Sequence, residues 1–311
     1  MEQLYQRDVY GKALVELGKQ DKDIVVLDAD LSSSTRTGFF AKEFPDRFFN
    51  FGVAEQNMMA SAAGLASCGK TVFVSTFAIF ASGRAWDQVR NSICYSNLNV
   101  KIVATHAGIS VGPDGATHQA LEDIALMRVI PNMNILVPCD GPQTAEAIHA
   151  CVNTEGPFYI RLGRAKVPTL ENKGKFELGK AQVLSEGNDV AIIACGIMVS
   201  EALVAVNNLA KQGVKARLIN VHTLRPLDFA TIIKAAQETR GIVVCEEHNI
   251  IGGLASCVDE TVAENNPTRI MRIGVRNRFG QSGEPQQLLQ EYNLTSGDIE
   301  KAALTCFTKC R

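Results

Sequence analysis

The hydrophobic positions of this chain fall into a two-beat rhythm. Short apolar, β-branched runs, DIVVLDAD (23–30), TVFVSTF (71–77), VKIVATHAG (100–108), NILVPCD (134–140) and PFYIRLG (157–163), alternate with stretches whose apolar residues recur at helical spacing. Runs of this length and composition read as strands buried on both faces, and the helical stretches read as the crossovers that return the chain to the same edge of a parallel sheet. Most runs end in a polar or glycine-rich turn, the end at which open α/β sheets place ligands. MEQLYQRDVYGKALVELGKQ, at the N-terminus, reads as an amphipathic helix.

The rhythm stops across 165–188, where Pro, Gly, Lys and Glu dominate, and resumes with DVAIIACG, KARLINVHTLRP, GIVVCEEHN and RIMRIGVRNRFG. This predicts an α/β protein of two parallel-sheet-based domains, 1–168 and 189–311, joined by a linker at 169–188. A length of 311 residues suits two cores better than one. No fixed short repeat and no low-complexity tract interrupts the pattern.

Composition narrows the function classes. With 31 Lys and Arg against 33 Asp and Glu, spread along the chain, there is no basic surface for nucleic acid or an anionic membrane. The start lacks the pattern of a signal peptide and no apolar window is long enough to cross a bilayer, so a cytoplasmic protein is expected. The nine cysteines (Cys68, Cys94, Cys139, Cys151, Cys195, Cys245, Cys257, Cys306 and Cys310) are odd in number and sit mostly in apolar runs, as reduced buried thiols do. CFTKC has no second Cys or His pair nearby, so no metal site is expected on this chain.

The common catalytic motifs are absent, and four weaker signals remain. Glu55 sits near the start of FGVAEQNMMASAAGLASCG (51–69), where the helix of small and apolar residues that follows reads as buried between layers; there a charged carboxyl needs a partner or a proton. Phe77 and Phe80, three apart after a strand, read as core or as a platform for a flat ring. His106, Asp114 and His118 share a loop broken by glycines, where backbone approaches a ligand closely and imidazoles exchange protons near neutral pH. Arg161 and Arg164 end the last strand of the first domain and are suited to a phosphate, or are merely a solvated strand end.

Taken in order, GVAEQNMM, STFAIF, RAWDQVRNSI, THAGISVGPDGATHQALEDIALMR, PNMNILVPCD and FYIRLGR resemble the pyrimidine-binding domain of the transketolases, while HTLRPLD and GVRNRFGQSGEPQQLL resemble their C-terminal domain. The closest likeness is to the C-terminal subunit of a transketolase split into two chains. The resemblance implies a thiamine-diphosphate enzyme that moves a two-carbon ketol group between sugar phosphates. It implies Glu55 at the ring nitrogen N1′ of the aminopyrimidine, Phe77 and Phe80 against that ring, and Asp30 and Leu31 near the cofactor. It further implies His106 and His118 as catalytic groups at the sugar hydroxyls, Asp114 at a donor hydroxyl, and Arg164, Arg7 and Ser34 at the substrate phosphate.

The G-D-G motif with which the family binds diphosphate and Mg²⁺ is missing. An N-terminal partner subunit carrying that domain is therefore expected, in an α2β2 heterotetramer formed by self-association of both chains. Between Phe80 and RAWDQVR the stretch ASG is one residue longer than in some relatives, so a third ring-stacking position falls on Gly83 or Arg84 and is left open. His222 and His248 read as structural, and the smaller domain as a dimer contact. A 1-deoxyxylulose-5-phosphate synthase, a 2-oxo acid dehydrogenase β subunit, and a non-catalytic scaffold of the same fold are the rival readings.

Overall fold

The computed structural model describes residues 2–171 and 173–308. The strands of the first domain, in chain order, are β1 (Gln3–Tyr5), β2 (Ile24–Asp28), β3 (Phe48–Asn50), β4 (Thr71–Phe77), β5 (Val100–Thr105), β6 (Asn134–Leu136), β7 (Phe158–Arg161) and β8 (Lys166–Pro168). They are followed by β9 (Gln182–Ser185), β10 (Val190–Ala194), β11 (Ala216–Asn220), β12 (Thr223–Arg225), β13 (Ile242–Asn249) and β14 (Ile270–Val275).

The first sheet runs β12-β6-β7-β5-β4-β2-β3, parallel throughout except for the β12–β6 pair. β2, β5 and β7 are buried along their whole length, as continuous apolar runs in a sheet covered on both faces must be. One face packs on the Gln6–Gln20 and Gly141–Val152 helices through Tyr10, Leu14, Ala147 and Ile148. The other packs on the Glu55–Ser67 helix through Met58, Met59 and Ala62.

The second sheet runs β14-β13-β10-β11-β9, parallel but for β9. Its helices, Met198–Lys211, Phe229–Glu238 and Leu254–Asn265, occupy the segments whose pattern predicts them. Apolar residues of both domains, Ile102 and Ile135 with Ile193 and Val221 among them, belong to one continuous core.

The structure departs from the sequence reading in three places. The stretch 169–188 is not all linker: β9 lies inside it and pairs antiparallel with β11. As an edge strand with only Gln182 buried it carries no apolar run, which is why it reads as a loop. KARLINVHTLRP is not one strand, because β11 stays in the second sheet while β12 crosses to the first and pairs with β6. The Glu55–Ser67 helix is buried on one face only; Gln56, Asn57, Ala60 and Gly64 on its other face are exposed. Among the described cysteines Cys68 alone is exposed, and Cys310 lies outside the described residues.

Candidate active site at the strand ends of the first sheet

The order β7-β5-β4-β2 brings four carboxyl-terminal strand ends side by side, and each carries a residue the sequence singles out. β4 ends in Phe77. The chain then enters a turn of π-helix, Phe80–Arg84, closed by i→i+5 rather than i→i+4 hydrogen bonds. The Phe77 and Phe80 rings lie nearly parallel, 17° between planes with centroids 5.8 Å apart.

His106 follows β5 directly and takes a left-handed backbone, φ 58°. Its ring stacks on Phe77 with centroids 3.8 Å apart, and His118, from the far end of the same loop, meets Phe80 edge-on at 5.4 Å. Arg7 Nη1 lies 3.4 Å from His106 Nε2 and Thr105 Oγ1 lies 2.9 Å from Nδ1. A guanidinium only donates, so Nε2 is the acceptor and the ring proton sits on Nδ1, directed to Thr105. Burial, reinforced by the Arg7 and Arg164 charges, lowers the His106 pKa to about 3. His106 is therefore a neutral imidazole at physiological pH.

Glu55 opens its helix with a carboxyl only 4% exposed, and the partner that such burial demands is Arg84, whose Nη1 donates to Oε1 at 2.8 Å. Arg84 also lies over the Phe80 ring, 4.1 Å from guanidinium carbon to centroid. Of the two positions left open by the sequence, both exposed, Arg84 is the one whose side chain lies over Phe80.

A cationic margin borders the aromatic group. Arg7, from the N-terminal helix, donates to the Ser34 carbonyl at 3.2 Å, and burial lowers its pKa. Arg164 donates to the Val111 carbonyl at 2.9 Å. Arg161, paired with Arg164 in the sequence reading, does not face this margin: it is buried, ion-paired to Asp123 at 2.8 Å and bonded to the carbonyls of Ala120 and Glu247. Asp114 is exposed on the histidine loop and forms no hydrogen bond with the other candidates. Asp30, φ 64°, is also exposed and exchanges two hydrogen bonds with Asn50, next to half-buried Leu31.

Several supporting residues carry no sequence signal. Asp28, buried at the end of β2, accepts from Leu31 N, Thr35 Oγ1 and Thr37 Oγ1 and so shapes the turn that carries Ser34; burial raises its pKa. From the second domain, Glu247 Oε1 accepts the Ser110 N–H at 2.6 Å, anchoring the loop between His106 and His118. Gln119 Nε2 donates to the carbonyls of Ile109 and of Gln281 in the second domain, closing the same loop. His248 extends this clasp: Nδ1 donates to the Asn249 carbonyl, leaving Nε2 to accept from Ala125 N at 3.4 Å. His222 stacks on Phe176 and bonds Thr223 at the domain boundary.

An aromatic, carboxylate and imidazole cluster beside the carboxyl-terminal strand ends of a two-domain α/β chain lies where open α/β sheets place ligands. The family model described as transketolase, pyrimidine binding domain, matches residues 2–169, and that described as transketolase, C-terminal domain, matches 179–299. A Methanocaldococcus jannaschii protein described as a transketolase C-terminal section is 49% identical over 95% of this chain and 94% of its own length. The 6-deoxy-6-sulfo-D-fructose transketolase subunit of Clostridium sp. (strain MSTE9) is 41% identical over 97% of this chain and 94% of its own. A solved structure described as a split gene transketolase, inactive β4 tetramer, superposes with a TM-score of 0.92 at 50% identity, over 99% of this chain and all of that one. The chain belongs to the transketolase family.

The family implies thiamine diphosphate and a divalent metal. Stacked phenyl rings beside a buried carboxyl suit the ring end of that cofactor. Among the described residues no cluster of three or more His, Cys, Asp or Glu side chains is placed to hold a metal. No helix among them is long and apolar enough to cross a membrane.

Proposed function

We propose that this chain is the ring-binding subunit of a two-chain, thiamine-diphosphate-dependent transketolase that passes a two-carbon ketol group from a ketose phosphate to an aldose phosphate. The observation that carries the reading is the convergence at adjacent strand ends of Glu55, the Phe77–Phe80 pair, the two histidines and the Arg7–Arg164 margin. A partner chain bearing the missing diphosphate motif supplies the metal and diphosphate end. The exposed face of Gln56, Asn57, Ala60 and Gly64 beside Glu55 is open for such a chain. An α2β2 assembly, built by self-association of each kind of subunit, is the stoichiometry we propose.

Thiamine diphosphate, when bound, supplies a nucleophilic carbon and an electron sink for the two-carbon fragment. Glu55 would hold the cofactor's pyrimidine ring by a hydrogen bond, and Phe77 and Phe80 would supply the aromatic surface against which that ring packs. Neutral His106, with Thr105 holding its Nδ1–H, would accept a hydrogen bond from a sugar hydroxyl at Nε2 once that hydroxyl takes the place of the Arg7 N–H now facing it at 3.4 Å. His118, edge-on to the same phenyl rings, serves a second hydroxyl. Asp114 orients the donor sugar, Asp30 and Leu31 border the cofactor, and Arg7, Arg164 and Ser34 hold the phosphate. The Clostridium relative's description names a sulfo sugar in place of a sugar phosphate.

The test is reconstitution of this chain with its partner, thiamine diphosphate and Mg²⁺. Conversion of xylulose 5-phosphate plus ribose 5-phosphate is expected. Decarboxylation of pyruvate without ketol transfer would instead place the chain with the deoxyxylulose-phosphate synthases or 2-oxo acid dehydrogenases, and no turnover of either kind would leave the scaffold reading.

A further inference from the structure

Arg84 occupies the place where a flat ring would have to sit. A guanidinium is planar, carries N–H donors in its plane and stacks on aromatic faces. Here one N–H reaches Glu55 Oε1 at 2.8 Å while the guanidinium carbon stands over the Phe80 ring, 4.1 Å from its centroid. These are the two contacts that an aminopyrimidine makes in the seat proposed above: a hydrogen bond to the carboxyl and a stack on phenyl. A ring cannot take them while Arg84 keeps them.

The two partners differ in what they lose on separation. Glu55 is 4% exposed, so a bare carboxylate there is costly and some donor must always face it. The Arg84 side chain is 51% exposed and lies at the edge of a cavity of about 440 Å³ lined by Val53, Ala54, Glu55, Gln56, Asn57 and Arg84 itself, so on leaving the carboxyl it regains water at little cost. Gln56 Nε2 donates to the Arg84 carbonyl at 3.1 Å, which tethers the backbone while the side chain is free to swing. The wide π turn from Phe80 to Arg84 delivers the guanidinium to this spot.

We infer that Arg84 sets the affinity of the ring seat by acting as its internal occupant: it satisfies Glu55 and covers Phe80 while no cofactor is present, and it is displaced by the ring. This rests on the proposed function, since it requires Glu55 and Phe80 to be the ring seat. The lone subunit then keeps its buried carboxyl paired and its aromatic face covered until the cofactor arrives.

The probe is thiamine, which has the ring end and no diphosphate, titrated calorimetrically into the full chain alone; thiamine diphosphate with Mg²⁺ is titrated into the reconstituted complex. Arg84→Ala is expected to bind each about tenfold more tightly than the wild type, and Arg84→Lys, which keeps the charge but not the plane, to fall between. In the wild-type lone chain the Arg84 side-chain N–H signals in NMR should shift on addition of thiamine and also in Glu55→Gln. Equal or weaker binding by Arg84→Ala in the complex, or Arg84 signals unchanged in Glu55→Gln, overturns the inference. If instead Glu55→Ala leaves thiamine diphosphate binding and turnover untouched, it is the ring-seat reading that fails.

Discussion

At the scale of single residues, burial decides which groups carry protons. Glu55→Gln keeps the shape of the side chain and removes its acid function; turnover in the reconstituted complex is expected to fall about 100-fold or more with the fold intact, as read by steady-state kinetics and circular dichroism. For His106 and His222, burial lowers the pKa from 6.5 to about 3 and about 4. Between about pH 6.5 and pH 4 the unfolded chain binds protons at these rings that the folded chain refuses, so their contribution to stability is lost as the pH falls through that window. Urea unfolding at pH 7.5 and pH 5 should show a smaller acid loss in the His106→Asn, His222→Asn double variant than in the wild type; an equal loss would refute the assignment. Both Glu55 and His106 are conspicuous in the sequence, but their partners are not. Arg84 lies 29 residues from Glu55 and Arg7 lies 99 from His106, distances that no local pattern bridges.

At the scale of elements, the loop from His106 to His118 is a first-domain segment held by the second domain. Gly108 shows why. Its φ of 85° suits glycine, and a Cβ there would stand 2.2 Å from the Glu247 carboxyl carbon. Gly108→Ala is therefore expected to destabilise the chain by about 1–3 kcal/mol and to lower kcat more than it alters thiamine diphosphate binding, since Glu55 and the phenyl pair lie on other elements. Glu247→Ala, which removes the acceptor for the Ser110 N–H, should raise the KM for the sugar donor while Glu247→Gln, which keeps an acceptor oxygen, restores much of it; unchanged KM in both would show that the anchor does not reach the site. The glycines and histidines of the loop are visible in the sequence, yet the anchor is invisible because GIVVCEEHN reads only as a strand. The same limit applies to β9 and β12, short edge strands with little apolar patterning, whose pairing depends on where the neighbouring sheet ends.

At the scale of the whole molecule, the two domains share one apolar core and one buried polar junction. Asp123 receives Arg161 at 2.8 Å and the Tyr159 hydroxyl at 2.7 Å, and Arg161 in turn grips the Glu247 carbonyl of the second domain. Removing one partner leaves the other charge buried, so Asp123→Ala should cost about 3–5 kcal/mol in chemical denaturation and unfold both domains together. A transition in which the second domain melts separately would contradict the shared junction. The same scale governs the cofactor. On the proposed division, in which this chain holds the ring end and a partner the diphosphate, calorimetry should find weak, Mg²⁺-independent binding of thiamine diphosphate to the lone chain and tight, Mg²⁺-dependent binding only with the partner.

The sequence by itself determined the α/β class and two sheet-based domains and offered a set of candidate residues, because buried strands and their crossover helices write their periodicity locally and because charged or imidazole side chains stand out against apolar runs. The tertiary structure alone decided which of those residues meet. It separated Arg161, a buried strut, from Arg164, a cation beside the site; it gave Glu55 its partner; and it made the second domain the anchor of the histidine loop. The reason is physical: a hydrogen bond or an ion pair depends on distances of a few ångströms across strands and domains, which are set by packing and sheet order and not by spacing along the chain. FGVAEQNMM announces a carboxyl that cannot stay bare, and only the fold shows that Arg84 is what meets it.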